Sequence, residues 1–243
     1  MISRLAVSIG LVNRRAFLIG CAASVGSGAA ERVLAAEDFS SGMDNWWSEG
    51  GERVWVEDGR LHMKADNPKV PGGGVATAWM KSPVTGGFRL EVDARVVSST
   101  LDADNINLFF CYSDPSGRPL TETREARRNA EYGLYHKLNG YIVTFLNDFE
   151  AEGGRHPDGS TKARYRIRRN PGFRLLAEKF AGHCRQGVTY RVGVTKRGGA
   201  IHLAIDDRLV LSAKDPEPLP GGLIGLRTYR TYLCWDNLRV VTL

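Results

Sequence analysis

Arg53-Val54-Trp55-Val56-Glu57-Asp58-Gly59-Arg60-Leu61-His62-Met63-Lys64 alternates apolar and polar residues on both sides of an Asp-Gly pair. A period of two puts one kind of side chain on each face of an extended strand. Asp-Gly between two such runs signals a tight hairpin, because both central positions of that turn need positive φ. The stretch therefore predicts two antiparallel strands with one buried face. Working outward, similar runs recur at residues 75–80, 88–97, 106–112, 141–146, 164–168, 173–178, 189–195, 201–205, 209–213, 223–227 and 233–241. Gly, Pro, Asp and Asn separate them. Residues 120–135 differ: they are charged, carry Ala126 and Ala130, and suit either a short helix or a surface loop. Residues 101–105 and 150–161 read as polar loops. About a dozen short strands without helices between them predict an all-β fold, a two-sheet antiparallel β-sandwich forming one domain.

The first 36 residues do not fit that pattern. Asn13-Arg14-Arg15-Ala16-Phe17-Leu18 sets paired arginines before a mildly apolar, Gly- and Ala-rich stretch, and Val33-Leu34-Ala35-Ala36 supplies small residues for cleavage. This is the layout of a twin-arginine export signal, which predicts a leader at 1–36, a domain at 37–243 and a periplasmic or secreted location. Leu18-Ile19-Gly20-Cys21 also looks like a lipid-attachment box, but it leaves hardly any apolar run after the arginines. No other segment reaches the ~18 apolar residues of a membrane span. The chain carries a formal charge of +6, half of it from Arg4, Arg14, Arg15 and Arg32 against Glu31. The remainder is too mild to argue for a nucleic-acid partner. Beyond the leader stand Cys111, Cys184 and Cys234, an odd number with no zinc-type spacing, which read mainly as buried thiols.

Asp38-Phe39-Ser40, Trp46-Trp47 and Trp55-x-Val-x-Asp58-Gly59-x-Leu61 resemble the opening of concanavalin-like jelly-roll domains. Gly222 to Arg227 followed by Trp235 to Val240 is similar to their last strands. In the middle, His136-x-Leu138-Asn139-Gly140-Tyr141 and Arg166-x-Arg168-Arg169-Asn170-Pro171-Gly172-Phe173 resemble a bacterial jelly-roll family of unassigned function. Its members occur among genes for the breakdown of pectin and other uronate polysaccharides. The resemblance implies a carbohydrate-related role but transfers no mechanism. Concanavalin-like domains often bring their chain ends together around a structural calcium ion. That makes Asp38 and Asp236 the candidate ligands, since calcium takes six to eight oxygens.

Lys162 to Arg174 holds six cations and no acid. Alternation places Arg164, Arg166, Arg168 and Asn170 on one strand face, with Tyr165, Ile167 and Arg169 on the other. Arginine forks grip carboxylates through paired hydrogen bonds, so Arg166, Arg168, Asn139 and Asn170 are the expected binders of an acidic carbohydrate. Uronate polymers are cleaved by β-elimination, and jelly-roll lyases use His and Tyr to do it. Here His136 is the expected base, and Tyr141 or Tyr132 the expected acid. His62, His156, His183 and His202 lack such company and read as surface or structural residues. The glucanase pattern E-x-D-x-x-E is missing and only Glu91-x-Asp93 echoes it, so hydrolysis ranks below elimination. Trp55 and Trp235 fall at core-facing positions. The reading is thus a monomeric exported protein, either a lyase on acidic glycans or a binding module that grips them without chemistry. The lack of a second domain favours the enzyme.

Overall fold

The computed structural model of the protein describes residues 31–147 and 154–243. The arginine pair and apolar stretch of the expected leader, and part of the 150–161 loop, lie outside the described residues. β1 (Val33–Glu37), β2 (Trp46–Gly50), β3 (Arg53–Glu57), β4 (Arg60–Ala65), β5 (Val75–Met80) and β6 (Val84–Thr85) come first. β7 (Phe88–Ser98), β8 (Ile106–Ser113), β9 (Asn139–Asn147), β10 (Ala163–Asn170) and β11 (Arg174–Phe180) follow. β12 (Thr189–Arg197), β13 (Ala200–Ile205), β14 (Arg208–Lys214), β15 (Gly221–Tyr229) and β16 (Thr231–Thr242) complete the described strands. A 3-10 turn at Arg124–Arg127 and a one-turn helix α1 (Tyr132–Tyr135) sit between β8 and β9. No helix among the described residues is long and apolar enough to cross a membrane.

All strand pairings are antiparallel and fall into two sheets. The first runs β14-β13-β12-β7-β16-β4-β3, with β1 also on β16; the second runs β11-β10-β9-β8-β15-β5-β2, with β6 on β15. The all-β sandwich expected from the sequence is what the chain forms. Its main core lies between the sheets. Leu61, Met63, Leu90, Val92, Leu233 and Trp235 come from the first sheet, and Leu108, Phe110, Val143, Ile167 and Leu226 from the second. Trp235 is fully buried there, as its strand position predicted. Trp55 is not. In β3 the alternation aims Val54 and Val56 at the core, which leaves Trp55 on the outer face, stacked on His62.

β1 occupies the residues in which the sequence suggested a cleavage boundary. Val33, Ala35, Ala36 and Glu37 register with Val241, Val240, Arg239 and Leu238. The Arg32 amide donates to Thr242 Oγ1 at 3.0 Å, and Glu31 meets Arg89 at 2.7 Å. A chain beginning at Glu37 is therefore expected to be about 2 kcal/mol less stable than one beginning at Glu31, the net worth of a few ladder hydrogen bonds. Denaturant unfolding of the two chains measures this, and equal midpoints would show that β1 contributes nothing.

A second, smaller apolar cluster covers the outer face of the second sheet. Trp47, Trp79, Phe109, Tyr112 and Ile142 project from the strands, and Leu120, Ala130, Tyr135 and Leu138 close over them. This is why β8 is buried on both faces. The covering segment is pinned by Glu49, whose side chain is 1% exposed. Glu49 Oε1 accepts from Arg127 Nε at 3.1 Å, and Glu49 Oε2 accepts from Trp79 Nε1 at 3.0 Å and from the Tyr135 hydroxyl at 2.6 Å. The Arg127 guanidinium also donates to Leu120 O at 2.7 Å and Thr123 Oγ1 at 2.8 Å. A buried carboxylate with its lone pairs filled in this way is tolerated, and a half-filled one is not.

Candidate functional site

Strand register builds a polar row across the outer face of the second sheet. Arg166 of β10 lies opposite Thr144, Thr144 opposite Asn107, Asn107 opposite Arg227, Arg227 opposite Thr77, and Thr77 opposite Glu49. On one side of this row the covering segment packs over Phe109 and Trp79. On the other side the sheet stays open as a cleft of about 490 Å³, within the range of small-ligand sites. Arg166, Arg227, Asn107, Tyr132 and the exposed Glu131 line its polar side, while Leu101, Leu146 and Tyr229 supply apolar walls. Tyr229 is 47% exposed, an aromatic ring offered to solvent at the rim.

Arg227 dominates the floor. It is 1% exposed, yet its guanidinium borders the cleft. Three rings cage it: Tyr132 at 4.8 Å, Tyr135 at 5.0 Å and Phe109 at 5.5 Å from the guanidinium carbon. Its Nη1 donates to Thr77 Oγ1 at 2.7 Å and Ala130 O at 3.0 Å, both neutral acceptors. Among the described residues it forms no ion pair. Beside it, Asn107 Nδ2 donates to Asn105 Oδ1 at 2.6 Å, and Asn107 Oδ1 is buried without a donor. The cleft therefore carries the Arg227 cation beside Arg166, with Asn107 Oδ1 as a buried acceptor that has no donor.

Several expected site residues gather beside this cleft. The His136 ring stacks on Phe173 at 3.9 Å and meets Tyr132 edge-on at 4.8 Å. Arg168 lies over the other partner of that stack, 4.1 Å from the Phe173 ring, and donates to Phe173 O at 2.8 Å. Burial first, then Arg227 and Arg168, hold the His136 imidazole below its usual pKa, so it is neutral at neutral pH. Burial likewise pushes the Tyr132 phenol up, and the three arginines only partly oppose this. Asn170 is fully buried: its Nδ2 donates to Tyr112 Oη at 3.0 Å and Tyr135 O at 3.2 Å, and its Oδ1 accepts from the Phe173 amide at 2.9 Å. It shapes the turn that carries Phe173. Asn139 sits apart at the start of β9, donating to Ser113 Oγ at 3.2 Å.

Two expectations need correction. Tyr141 is directly opposite Arg169, so it follows that residue to the inner face rather than joining Arg166 and Arg168. There it is fully buried, donates to Asp215 Oδ2 at 2.7 Å and accepts from the Leu219 amide at 3.0 Å, and it has no path to a ligand in the cleft. The second correction concerns calcium. The first and last strands do pair, but Asp38 folds back onto the Ser40 amide and hydroxyl at 3.0 and 2.7 Å. Asp236 is held by the Asn237 amide at 2.7 Å and by Arg60 at 3.8 Å. These carboxylates face local donors, so they do not fit a shared cation. No group of three or more His, Cys, Asp or Glu that could hold a metal exists among the described residues. The sequence reading missed Arg227 and Asn107. The available signal was an arginine closing the otherwise apolar run Leu223-Ile224-Gly225-Leu226, where a charge has to find a reason to be buried.

Comparison with known proteins places this architecture in context. A family model described as "Domain of unknown function (DUF6250)" matches residues 70–238. No curated protein matches the chain. Among solved structures, a Bacillus subtilis protein of unknown function with a galectin-like fold aligns with a TM-score of 0.70 at 20% identity, covering 86% of this chain and 94% of its own. The carbohydrate-binding module CBM66 from Bacillus subtilis aligns with a TM-score of 0.54 at 16% identity, covering 81% and 94%. The exoplasmic/lumenal domain of VIP36, in a Ca²⁺- and mannose-bound form, aligns with a TM-score of 0.60 at 12% identity, covering 87% and 92%. At these identities the likeness establishes the fold.

Proposed function

For a chain that belongs to the DUF6250 family and carries the cleft described above, we propose carbohydrate binding, with a carboxylate-bearing sugar as the ligand. One observation carries the reading: Arg227 is a buried cation at the cleft floor with only neutral partners. A buried charge without a counter-charge is costly, and a ligand carboxylate that meets its free donors removes that cost. Asn107 Oδ1 offers an acceptor for a sugar hydroxyl, and Tyr229 an exposed ring for the apolar face of a pyranose. The names of the similar structures support the same class, since one is a carbohydrate-binding module and another is bound to mannose.

Binding without bond cleavage is favoured over elimination. Of the two expected acids, Tyr141 lies on the inner face of its sheet, and Tyr132 lines the cleft with its ring packed against Arg227 and His136. His136 is wedged between Phe173 and Tyr132 rather than aimed across the cleft at a sugar C–H. The paired arginines at 14 and 15 support an exported location, periplasmic or secreted. Replacing both with Lys should leave the precursor in the cytoplasm on cell fractionation, and normal export would remove that part of the reading. The binding claim is tested by titrating the protein calorimetrically with uronate oligosaccharides, their methyl esters and neutral mannose or galactose oligomers. Ultraviolet absorbance of unsaturated products is followed in parallel. Selective binding of the free uronates without product is the expected result. Binding confined to neutral sugars would overturn the acidic ligand, binding of none would overturn the function, and product formation would restore the lyase.

A further inference from the structure

A different cluster lies on the outer face of the first sheet, far in strand order from the cleft of the second. Register aligns Trp55 with His62, His62 with Cys234, and Cys234 with Arg95. Leu233 and Trp235 point into the core, so Cys234 between them points outward. Its Sγ lies 3.0 Å from His62 Nδ1. The Tyr232 hydroxyl lies 2.8 Å from the same nitrogen and is within hydrogen-bonding reach of the sulfur. Trp55 stacks on the imidazole at 4.8 Å and holds its plane. Although Cys234 is 5% exposed, it borders a cleft of about 190 Å³ whose rim carries Arg60 and Arg95 together with Asp93 and Asp236. That space is several times the ~30 Å³ share of a water molecule.

We propose that Cys234 is a reactive thiol that small hydroperoxides oxidise to a sulfenic acid, with His62 as the base. A cysteine becomes a nucleophile as its thiolate, in electropositive and partly accessible surroundings. Burial raises the Cys234 thiol, while Arg60, Tyr232 and Arg95 pull it back down. The resting group is therefore the neutral thiol, and a base in contact with the sulfur is what permits attack. In the reaction His62 Nδ1 takes the thiol proton as the sulfur attacks the terminal oxygen of the hydroperoxide. The S–O bond forms and the O–O bond breaks. The electron pair leaves on the second oxygen, which takes the proton back from His62 and departs as alcohol or water. The sulfur is oxidised and the hydroperoxide is reduced. The two arginines and Tyr232 stabilise the thiolate as it develops, although Arg60 also faces Asp236. No other described thiol can close a disulfide with it: Cys111 and Cys184 lie in the core between the sheets, and burial pushes Cys111 up to about 12.

The two core thiols are internal controls. The full chain is treated with hydrogen peroxide in the presence of a cyclic 1,3-diketone that traps sulfenic acids, then digested, and the adduct at each cysteine is quantified by peptide mass spectrometry. The adduct is expected to form at Cys234 well ahead of Cys111 and Cys184. His62→Gln should slow it about 100-fold, the scale of general-base assistance, and Tyr232→Phe should slow it less. Labelling of Cys234 no faster than the core thiols in the unmodified protein would overturn the proposal, whatever the variants do. So would unchanged labelling in a His62→Gln protein with the parent melting curve. If that variant does not fold, the unmodified protein and Tyr232→Phe still decide.

Discussion

Arg227→Met is expected to abolish measurable binding of an acidic oligosaccharide, weakening it by two to three orders of magnitude. Removing one member of a desolvated charge pair costs about 3–4 kcal/mol, and each 1.4 kcal/mol is tenfold in affinity. Arg227→Lys keeps the charge but loses the planar fork, so it should recover only part of the loss. The methyl-ester ligand should feel either change much less. Stability supplies the control that separates a ligand contact from a structural strut. In the free protein the guanidinium is buried among Tyr132, Tyr135 and Phe109 without an acid. Replacing such a charge with an apolar side chain of similar length is often neutral or stabilising. Calorimetric titration paired with thermal unfolding therefore has a distinctive expected outcome, with binding lost and the melting temperature held or raised. A fall in melting temperature with binding retained would mean that Arg227 serves the fold alone.

Glu49→Ala is expected to have the largest effect on stability, about 3–5 kcal/mol. It leaves the Arg127 guanidinium buried and unpaired, and it strips the partner from Trp79 Nε1 and the Tyr135 hydroxyl. Against a typical net stability of about 5–15 kcal/mol that is a large share. The covering segment carries Tyr132, so the cleft wall should loosen as well and binding should fall with stability. Urea unfolding measures the loss. Adding Arg127→Met to Glu49→Ala should recover part of it, because the two side chains are directly coupled. Additive losses in the double variant would show that the pair does not act as a unit.

Much of this architecture was legible because strand alternation is local. The β3–β4 hairpin follows from one turn and two alternating runs. The outward face of β10 follows from counting every second residue after Arg164. Relations between strands were not legible, because pairing register is set by the whole sheet and not by any one segment. Tyr141 and Arg168 each lie on a correctly identified strand. Whether they share a face depends on Tyr141 pairing with Arg169 rather than with its neighbour. The same blindness hid the polar row, whose members come from six strands spread from Glu49 to Arg227. Trp55 was misplaced for another reason: two valines outweigh one tryptophan in deciding which face of β3 is buried. Residues 120–135 show no helical or strand period, since their order comes from Arg127 reaching Glu49 and not from a repeating apolar stripe. The meeting of the chain ends was foreseeable, and the local bonds that occupy Asp38 and Asp236 there were not.

β16 has a consequence for how the protein is made. It stands between β4 and β7 in the first sheet, and β1 also depends on it. While residues 231–242 are still inside the ribosome, that sheet exists only as two pieces: the β3–β4 hairpin, and the meander of β7, β12, β13 and β14. Neither piece can cover the inner face of the second sheet. The nascent chain therefore holds its apolar strands open until β16 joins them, and a chain cut short before β16 yields no smaller version of the sandwich. Assembly of the first sheet waits on this strand, and until it joins, the unfinished chain depends on whatever the cell provides to shield it.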